Sequence, residues 1–459
     1  MKRTLINYLN SWLNADTHKP LILRGARQVG KTWLVRYLSE INKRHLIELN
    51  FEKTPSLASF FDSNDPQQIL LNISAAYNQT IEPANTLLFL DEIQAAPHIL
   101  AKLRWFAEEL PALPVIAAGS LLEFVLAEHS FSMPVGRITY AHLEPLSFEE
   151  FLLAMDKSLL VQYLADYQFN ITIPLAIHEQ LSTLFKEYLL VGGLPAAVSS
   201  WISERALPKI NQIHHELLTT YRDDFAKYSG RIPLSKLDEV MMAIPRTLAQ
   251  KFIFSRVNPA IHSTMFKQIL DLLGKARICH RVISSAANGV PLGAELRTRY
   301  FKEIFLDTGL ACAALGINFR EIQTATDVTL INKEGIAEQV VGQLLRTIEP
   351  PYIAPDLHYW HRDEKGSSAE VDYVIAHGSQ VVPVEVKAGS TGTLKSLHLF
   401  MGLKQLPVAI RINSDFPSKT DVCVKNHAGE EVKYTLLSLP FYLTAQVHRL
   451  LEIKNFRNE

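Results

Sequence analysis

The chain predicts an α/β protein, and three stretches of its sequence carry that prediction. The first is a glycine-bounded turn, Gly25-Ala26-Arg27-Gln28-Val29-Gly30-Lys31-Thr32, set between an apolar run (Pro20-Leu21-Ile22-Leu23) and a helical one (Trp33 to Leu38). The second is an apolar strand that ends in two adjacent carboxylates, Thr86-Leu87-Leu88-Phe89-Leu90-Asp91-Glu92. The third is a hairpin near the C-terminus with Asp372 on one strand and Glu385 and Lys387 on the other. Around the first two, His45 to Phe51 reads as a strand, Pro66 to Tyr77 as a helix, Ile99 to Leu110 as an amphipathic helix and Pro114 to Gly119 as a buried strand. Strands alternating with helices in this way are what a mostly parallel sheet requires.

Each position of the glycine-bounded turn has a physical task. Gly25 and Gly30 let the backbone turn tightly and aim successive N–H groups at phosphate oxygens, which makes the segment a P-loop. Lys31 is expected to reach the β- and γ-phosphates and the Thr32 hydroxyl to ligate Mg²⁺, while the helix N-terminus favours the anion. The expected nucleotide-binding set is Gly25, Ala26, Arg27, Gln28, Val29, Gly30, Lys31, Thr32 and Trp33. ATP with Mg²⁺ is the expected ligand pair, although these residues alone do not separate ATP from GTP. A glycine turn that holds no nucleotide is the bland alternative.

Asp91 and Glu92 close their strand as a Walker B pair does, Asp91 holding Mg²⁺ through water and Glu92 orienting the attacking water. Ser120 follows the strand Pro114 to Gly119, where either a polar sensor of the γ-phosphate or an ordinary helix N-cap for Leu121 onward is expected. Arg137 follows Gly136 just before the strand Ile138-Thr139-Tyr140. It is read either as an arginine that stabilises the transferred phosphoryl group, in its own subunit or a neighbour's, or as a structural surface residue.

In this order the P-loop, Leu90-Asp91-Glu92-Ile93-Gln94, Ala118-Gly119-Ser120, Gly136-Arg137 and Leu143-Glu144-Pro145-Leu146-Ser147-Phe148-Glu149-Glu150-Phe151 resemble one prokaryotic group of AAA+ ATPases. In that group the core is joined to a C-terminal domain usually classed as of unknown function, and the likeness covers nearly the whole chain. The resemblance implies an ATPase core, a helical lid starting near Phe148 and, often, nucleotide-dependent assembly into a homo-oligomer. It names no cellular process. Phe148 to Trp201 reads as helical up to a break at Gly192-Gly193-Leu194-Pro195, a segment that recurs in the resembled group. A helix C-cap followed by a proline stop accounts for it better than a catalytic role. Asp307-Thr308-Gly309-Leu310, another feature of the group, is expected to be a structural cap.

The formal net charge is −1, yet Arg246 to Lys302 holds ten basic side chains against Asp271 and Glu295, a local balance of +8 that leaves about −9 elsewhere. Charge segregated this way points to a polyanion partner. Thr264 to Leu273 reads as a helix, Gly274 to Ile283 turns into a strand, and a second strand returns through Arg299 to Leu306, the pattern of a winged helix-turn-helix. Nucleic acid, DNA first, is the expected partner, with Arg277, Arg281, Arg299 and Lys302 on its phosphates; a protein module for acidic partners is the competing reading.

Past Glu334, Gly335 to Leu345 forms an amphipathic helix containing Glu338, Glu370 to Ile375 an alternating strand, and Val381 to Lys387 its returning partner. Period-2 alternation puts Glu385 and Lys387 on one face. Glu338, Asp372 and Glu385 are the expected metal ligands, with Lys387 beside them, the constellation of PD-(D/E)xK nucleases. An ion-paired Glu385–Lys387 edge on an inert domain is the alternative.

Length suggests about three domains; the motifs divide the chain into a P-loop core (1–147), a helical lid (148–205), a winged-helix-like basic middle (206–316) and a restriction-endonuclease-like α/β domain (317–459). No apolar run approaches the ~18 residues needed to cross a bilayer. Cys279, Cys312 and Cys423 stand far apart without a CxxC, so neither a disulfide framework nor a zinc site is indicated and a cytoplasmic location is expected. The function expected is an ATPase acting on nucleic acid. Its rivals are a nucleotide-dependent regulatory switch that binds a protein and a P-loop module that only anchors a nuclease.

Overall fold

The apolar runs of the first third of the sequence pair into one parallel sheet. A computed structural model describes residues 1–459 except 121, 124–132, 226–231, 318–332, 365–366, 390–392, 426–428, 430 and 453–459. The chain divides into two units: Met1–Glu144 with Lys275–Arg277 and Pro350–Ala354, and Pro145–Gly274 with Ile278–Glu349 and Pro355–Glu459.

In the first unit, β1 (Leu21–Arg24), β2 (His45–Asn50), β3 (Thr86–Asp91), β4 (Val115–Ala118) and β5 (Thr139–His142) lie in the order β2-β3-β4-β1-β5, all parallel. β3 and β4 are buried at every position, which is why they read as continuous apolar runs and not as alternation. Helices α1 (Leu5–Leu13), α2 (Lys31–Ile41), α3 (Pro66–Tyr77) and α4 (Ile99–Glu109) complete the unit. Ile22, Leu49, Leu88, Leu90 and Val115 pack with Phe51, Phe61, Ile69, Leu103 and Phe106 into one core. α3 begins at the expected residue because Asp65 accepts a hydrogen bond from the Gln67 amide while Pro66 fills the first helical position. The glycine turn after β1, the carboxylates closing β3 and the segment after β4 all leave the C-terminal edge of the sheet, where open α/β sheets bind ligands.

The second unit is built on a mixed sheet of β6 (Cys279–Ser285), β7 (Leu296–Phe305), β8 (Leu357–Glu364), β9 (Ser367–His377), β10 (Gln380–Val386), β11 (Val408–Asn413), β12 (Ser418–Lys425) and β13 (Glu431–Pro440). Their order is β12-β13-β11-β10-β9-β8-β6-β7. The helices are α5 (Phe148–Ala154), α6 (Ser158–Asp166), α7 (Leu175–Val191), α8 (Pro195–Glu204), α9 (Leu207–Phe225), α10 (Leu234–Arg246), α11 (Phe254–Val257), α12 (Ser263–Lys275), α13 (Thr308–Ala314), α14 (Lys333–Leu345), α15 (Lys395–Lys404) and α16 (Val447–Leu451).

Two expectations about domains change here. The helix, strand and strand expected as a separate winged-helix-like middle exist as α12, β6 and β7, but β6 pairs in parallel with β8 and so continues the sheet that carries Asp372 and Glu385. The physical reason lies in β7, which is exposed over its first residues but buried from Phe301 to Phe305, too apolar for a free wing. The segment expected as a lid, 148–205, belongs to the same unit. Its Phe185 stacks on Phe441 at 5.6 Å, and Arg449 donates to the carbonyls of Tyr167 and Leu164 at 2.7 and 2.9 Å.

The Gly-Gly-Leu-Pro and Asp-Thr-Gly-Leu segments meet in one hydrogen-bonded knot. α7 ends on Gly192 at φ 71° and α8 starts on Pro195. The Gly193 amide donates to Asp307 at 2.6 Å and its carbonyl accepts from the Leu146 amide at 2.7 Å. A Cβ on Gly193 would collide with the Leu146 carbonyl oxygen, and one on Gly192 with the Asp307 carboxylate. Asp307 also caps α13 through the Leu310 amide at 3.1 Å and accepts from Gln343 of α14 at 3.2 Å. Burial pushes the Asp307 carboxyl up to about 6, against the pull of these donors. Gly192 and Pro195 thus end one helix and start the next, and Asp307 caps a third, as expected. Among the described residues no helix is long and apolar enough to cross a membrane.

Candidate functional site

The turn between β1 and α2 has the backbone its glycines permit. Gly30 sits at φ 96° as the N-cap of α2, and Gln28 is also left-handed at φ 69°. Gly25 is required by a close pass of the chain after β5, since a Cβ there would meet the Leu143 carbonyl oxygen. Ala26 and Val29 anchor the turn in the core, and Trp33 lies exposed on α2, stacked on Tyr37 at 4.9 Å. Lys31 points back into the turn: its ammonium donates to the carbonyls of Gly25 and Ala26 at 2.9 and 2.8 Å. Burial lowers its pKa to about 8, partly offset by the Glu92 charge and reinforced by Arg277. Arg3 is buried and donates to the Val29 carbonyl at 2.9 Å.

The carboxylates at the end of β3 face this turn. The Thr32 hydroxyl lies 3.3 Å from Asp91 Oδ2, which also accepts from Asn50 of β2 at 3.1 Å. Burial first, then the nearby charges of Glu92 and Glu48, pushes the Asp91 carboxyl up to about 6. A hydroxyl and a buried, partly desolvated carboxylate at this separation fit a hard divalent cation. Glu92 takes a left-handed backbone at φ 51°, and its Oε2 accepts from Gln94 Nε2 at 2.6 Å and from the amide and hydroxyl of Ser120, both at 3.3 Å. Ser120 thus contacts the catalytic candidate Glu92 itself; Leu121, from which a helix capped by Ser120 would start, lies outside the described residues. Arg27 lies within the turn at a half-buried position.

Arg137 is 50% exposed and donates to Glu108 of α4 at 2.7 Å. Arg277, expected on DNA phosphates, is instead enclosed by Glu123, Glu144 and His142 at 3.2, 3.4 and 3.3 Å. Glu123 also pairs with Arg24 of β1. Burial first, and then Arg277, lowers the His142 pKa to about 4, so its Nδ1 is a neutral acceptor for the guanidinium.

Residues 17–152 match the family model described as an AAA domain. They form an AAA-type ATPase domain. Two further models match, each described as a domain of unknown function, over residues 182–321 (DUF8612) and 333–429 (DUF4143). No curated protein matches the chain. Among solved structures, the Walker-type ATPase PABY2304 of Pyrococcus abyssi is 15% identical, with 68% of this chain and 94% of that one covered at a TM-score of 0.42. The Aeropyrum pernix ORC2 protein, in ADPNP–ADP complexes, is 13% identical, with 68% and 91% covered at 0.33. PCH-2 of C. elegans is 12% identical, with 45% and 64% covered at 0.27.

Beyond the AAA-type domain, the second unit brings Glu338, Asp372 and Glu385 to one place, as expected. The register pairs Val384 with Tyr373, and the Val386 amide donates to Asp372 Oδ2 at 2.7 Å. Cations of the chain itself, however, sit among these carboxylates. Lys302 of β7, only 3% exposed, reaches in from the basic segment: its ammonium lies 2.9 Å from Glu338, 3.9 Å from Asp372 and in direct contact with Glu370. Lys387 pairs with Glu385 at 2.8 Å. The carboxylates are thus engaged by two ammonium groups and a backbone amide. Among the described residues no group of three or more His, Cys, Asp or Glu side chains is arranged to hold a metal. Burial and the Asp372 charge push the Glu385 carboxyl up to about 7, against Lys387. Burial opposes the charge on Lys302, but Glu338, Glu370 and Asp372 outweigh it and hold it well above the usual lysine range. Arg281 is exposed although it pairs with Glu303 at 3.1 Å and Asp271 at 3.3 Å, and Arg299 is exposed as well.

Proposed function

We propose that the AAA-type domain turns over ATP at the C-terminal edge of its sheet, with Lys31 on the β- and γ-phosphates, Thr32 and Asp91 on Mg²⁺, and Glu92 orienting the water. The observation that carries this is the convergence of Thr32 and Asp91, 3.3 Å apart, beside a Glu92 carboxylate held by Gln94 and Ser120. Mg²⁺ supplies charge neutralisation on the phosphoryl oxygens when bound. The chain does the rest. The turn's N–H groups bind phosphate, and the Lys31 ammonium exchanges the carbonyls of Gly25 and Ala26 for phosphate oxygens. Glu92 accepts a hydrogen bond from the attacking water while Gln94 and Ser120 hold its carboxylate through Oε2. Glu92→Gln should keep ATP binding and slow hydrolysis by ~10²-fold or more, and Lys31→Ala should remove most of the affinity. Hydrolysis by Glu92→Gln at the parent rate refutes the assignment, and parallel titrations separate ATP from GTP.

Action on nucleic acid is a second reading, supported by the exposed basic side chains Arg246, Arg256, Lys267, Lys275, Arg281, Arg297 and Arg299. Arg277 and Lys302 leave the set expected on phosphates. Seven contacts cap the log–log salt slope for duplex DNA at about −6. Lys267, Arg297 and Arg299 changed together to Ala should weaken binding; unchanged affinity favours a nucleotide-dependent switch that binds an acidic protein. Nucleotide-dependent self-association, supported by the exposure of Arg137, is read by light scattering with and without ATP. A cytoplasmic location belongs to the same reading, supported by three free cysteines.

A further inference from the structure

We infer that the Lys302 ammonium is the resident cation of the Glu338–Glu370–Asp372 cluster beside Glu385, so that the second unit works at this site without a divalent metal. The inference is independent of the ATPase reading, because every residue in it belongs to the second unit.

The argument is one of donors, acceptors and space. Three carboxylates gathered in a sheet interior repel one another and need positive charge between them. A divalent ion meets that need in a metal-dependent nuclease. Here it is met by a side chain. Lys302 Nζ has three N–H donors, and three carboxylates stand around it: Glu338 at 2.9 Å, Glu370 in direct contact and Asp372 at 3.9 Å. The ring of Tyr359, itself fully buried, lies with its centroid 5.2 Å from the same nitrogen. Two further acceptors are assigned, while Glu385 Oε2 stays buried without a hydrogen-bond partner. Asp372 Oδ2 takes the Val386 amide and Glu385 Oε1 takes Lys387.

A Mg²⁺ or Mn²⁺ ion demands oxygen ligands in near-octahedral array and gives up its water reluctantly. To enter, it must expel Lys302. That side chain starts from β7, where Lys302 pairs with Val282 of β6, and it is 3% exposed. Removing it from the carboxylates without giving it water leaves a buried, uncompensated charge. Occupancy by lysine is therefore self-maintaining. The sequence motif of a nuclease survives, while the cation it recruits from solution elsewhere is supplied by the chain.

The test is a Mn²⁺ titration of the full, nucleotide-free chain, followed by electron paramagnetic resonance of free Mn²⁺, on the parent, Lys302→Met, Asp372→Asn and the double variant. Met keeps an unbranched apolar stem without the charge. The parent and Asp372→Asn should take up Mn²⁺ alike. Lys302→Met should gain one site, tighter than any uptake by the parent at that position by at least about tenfold, and the double variant should lose it. Mn²⁺ should raise the melting temperature of Lys302→Met and leave the second unit of the parent unaffected. Uptake by the parent that Asp372→Asn abolishes overturns the inference, as does a folded Lys302→Met that gains no site. If Lys302→Met folds only in the presence of Mn²⁺, the inference is supported; if it does not fold at all, the comparison of parent with Asp372→Asn decides.

Discussion

Nucleotide affinity should depend on pH through Lys31. The side chain is buried, and burial, offset in part by Glu92, leaves its pKa near about 8 in the free protein. A polyphosphate beside the ammonium favours the charged form, so binding must add a proton to any chain in which the lysine is neutral. Affinity is therefore full below about pH 8 and falls as pH rises above it. For a pKa of about 8 the charged fraction drops from roughly nine-tenths near pH 7 to roughly one-tenth near pH 9, and Kd for ATP should weaken by about tenfold over that interval. Titration with a fluorescent ATP analogue measures the change. Calorimetry in two buffers of different ionisation enthalpy counts the protons, from roughly 0.1 taken up per site near pH 7 to roughly 0.9 near pH 9. Lys31→Arg, whose guanidinium stays charged, should bind with no such dependence. For folding the sign reverses. A lysine whose pKa is lowered from 10.5 to about 8 by burial leaves the unfolded chain holding more protons between those values, so nucleotide-free stability should rise with pH there. A Kd for the parent that does not change across this range refutes the reasoning.

Gly193→Ala forces a Cβ against the Leu146 carbonyl oxygen, with the Leu146 amide nitrogen 2.7 Å away, and should destabilise the chain by about 3 kcal/mol in denaturant unfolding. Gln94→Ala removes the 2.6 Å bond to Glu92, so the water-orienting carboxylate loses one of its holders; kcat should fall by roughly tenfold with the ATP Kd unchanged, and an unchanged kcat leaves Gln94 without a role in positioning.

The elements of the AAA-type domain were legible because their signals are local. Asp65 and Pro66 start α3 within four residues of sequence, and β3 is apolar from Leu87 to Leu90, in a strand buried at every position. The P-loop and the Asp91-Glu92 pair were legible for the same reason, each being a run of consecutive residues. The supports of that site were not. Arg3 reaches Val29 across 26 residues, Asn50 reaches Asp91 across 41, and Gln94 looks like any polar residue until its amide is seen on Glu92. In the second unit the hairpin of β9 and β10 was readable from its period-2 pattern and its turn at His377-Gly378. The continuation of its sheet into β6 and β7 was not, because the parallel pairing of β6 with β8 joins Val282 to Leu357, and no local pattern encodes such a pairing.

Charge was the most misleading quantity in the sequence, for a physical reason. The balance of +8 between Arg246 and Lys302 counts neighbours along the chain, whereas electrostatic energy depends on neighbours in space. Arg277 finds Glu123 and Glu144, more than 130 residues away, and Lys302 finds Glu338, Glu370 and Asp372. Both cations are neutralised by acids that the sequence count had assigned to the remainder of the chain. A buried cation with such partners cannot also neutralise a phosphate, since leaving its carboxylates would strand them in a low-dielectric interior. What the segment offers to a polyanion is its exposed residue set alone, and what it offers to the fold is the reverse: Arg277 closes a carboxylate cage in the first unit, and Lys302 takes the centre of the carboxylate cluster in the second. A segment rich in arginine and lysine can thus be basic in composition because the fold needs cations in its interior, and the two uses separate only when burial is known residue by residue.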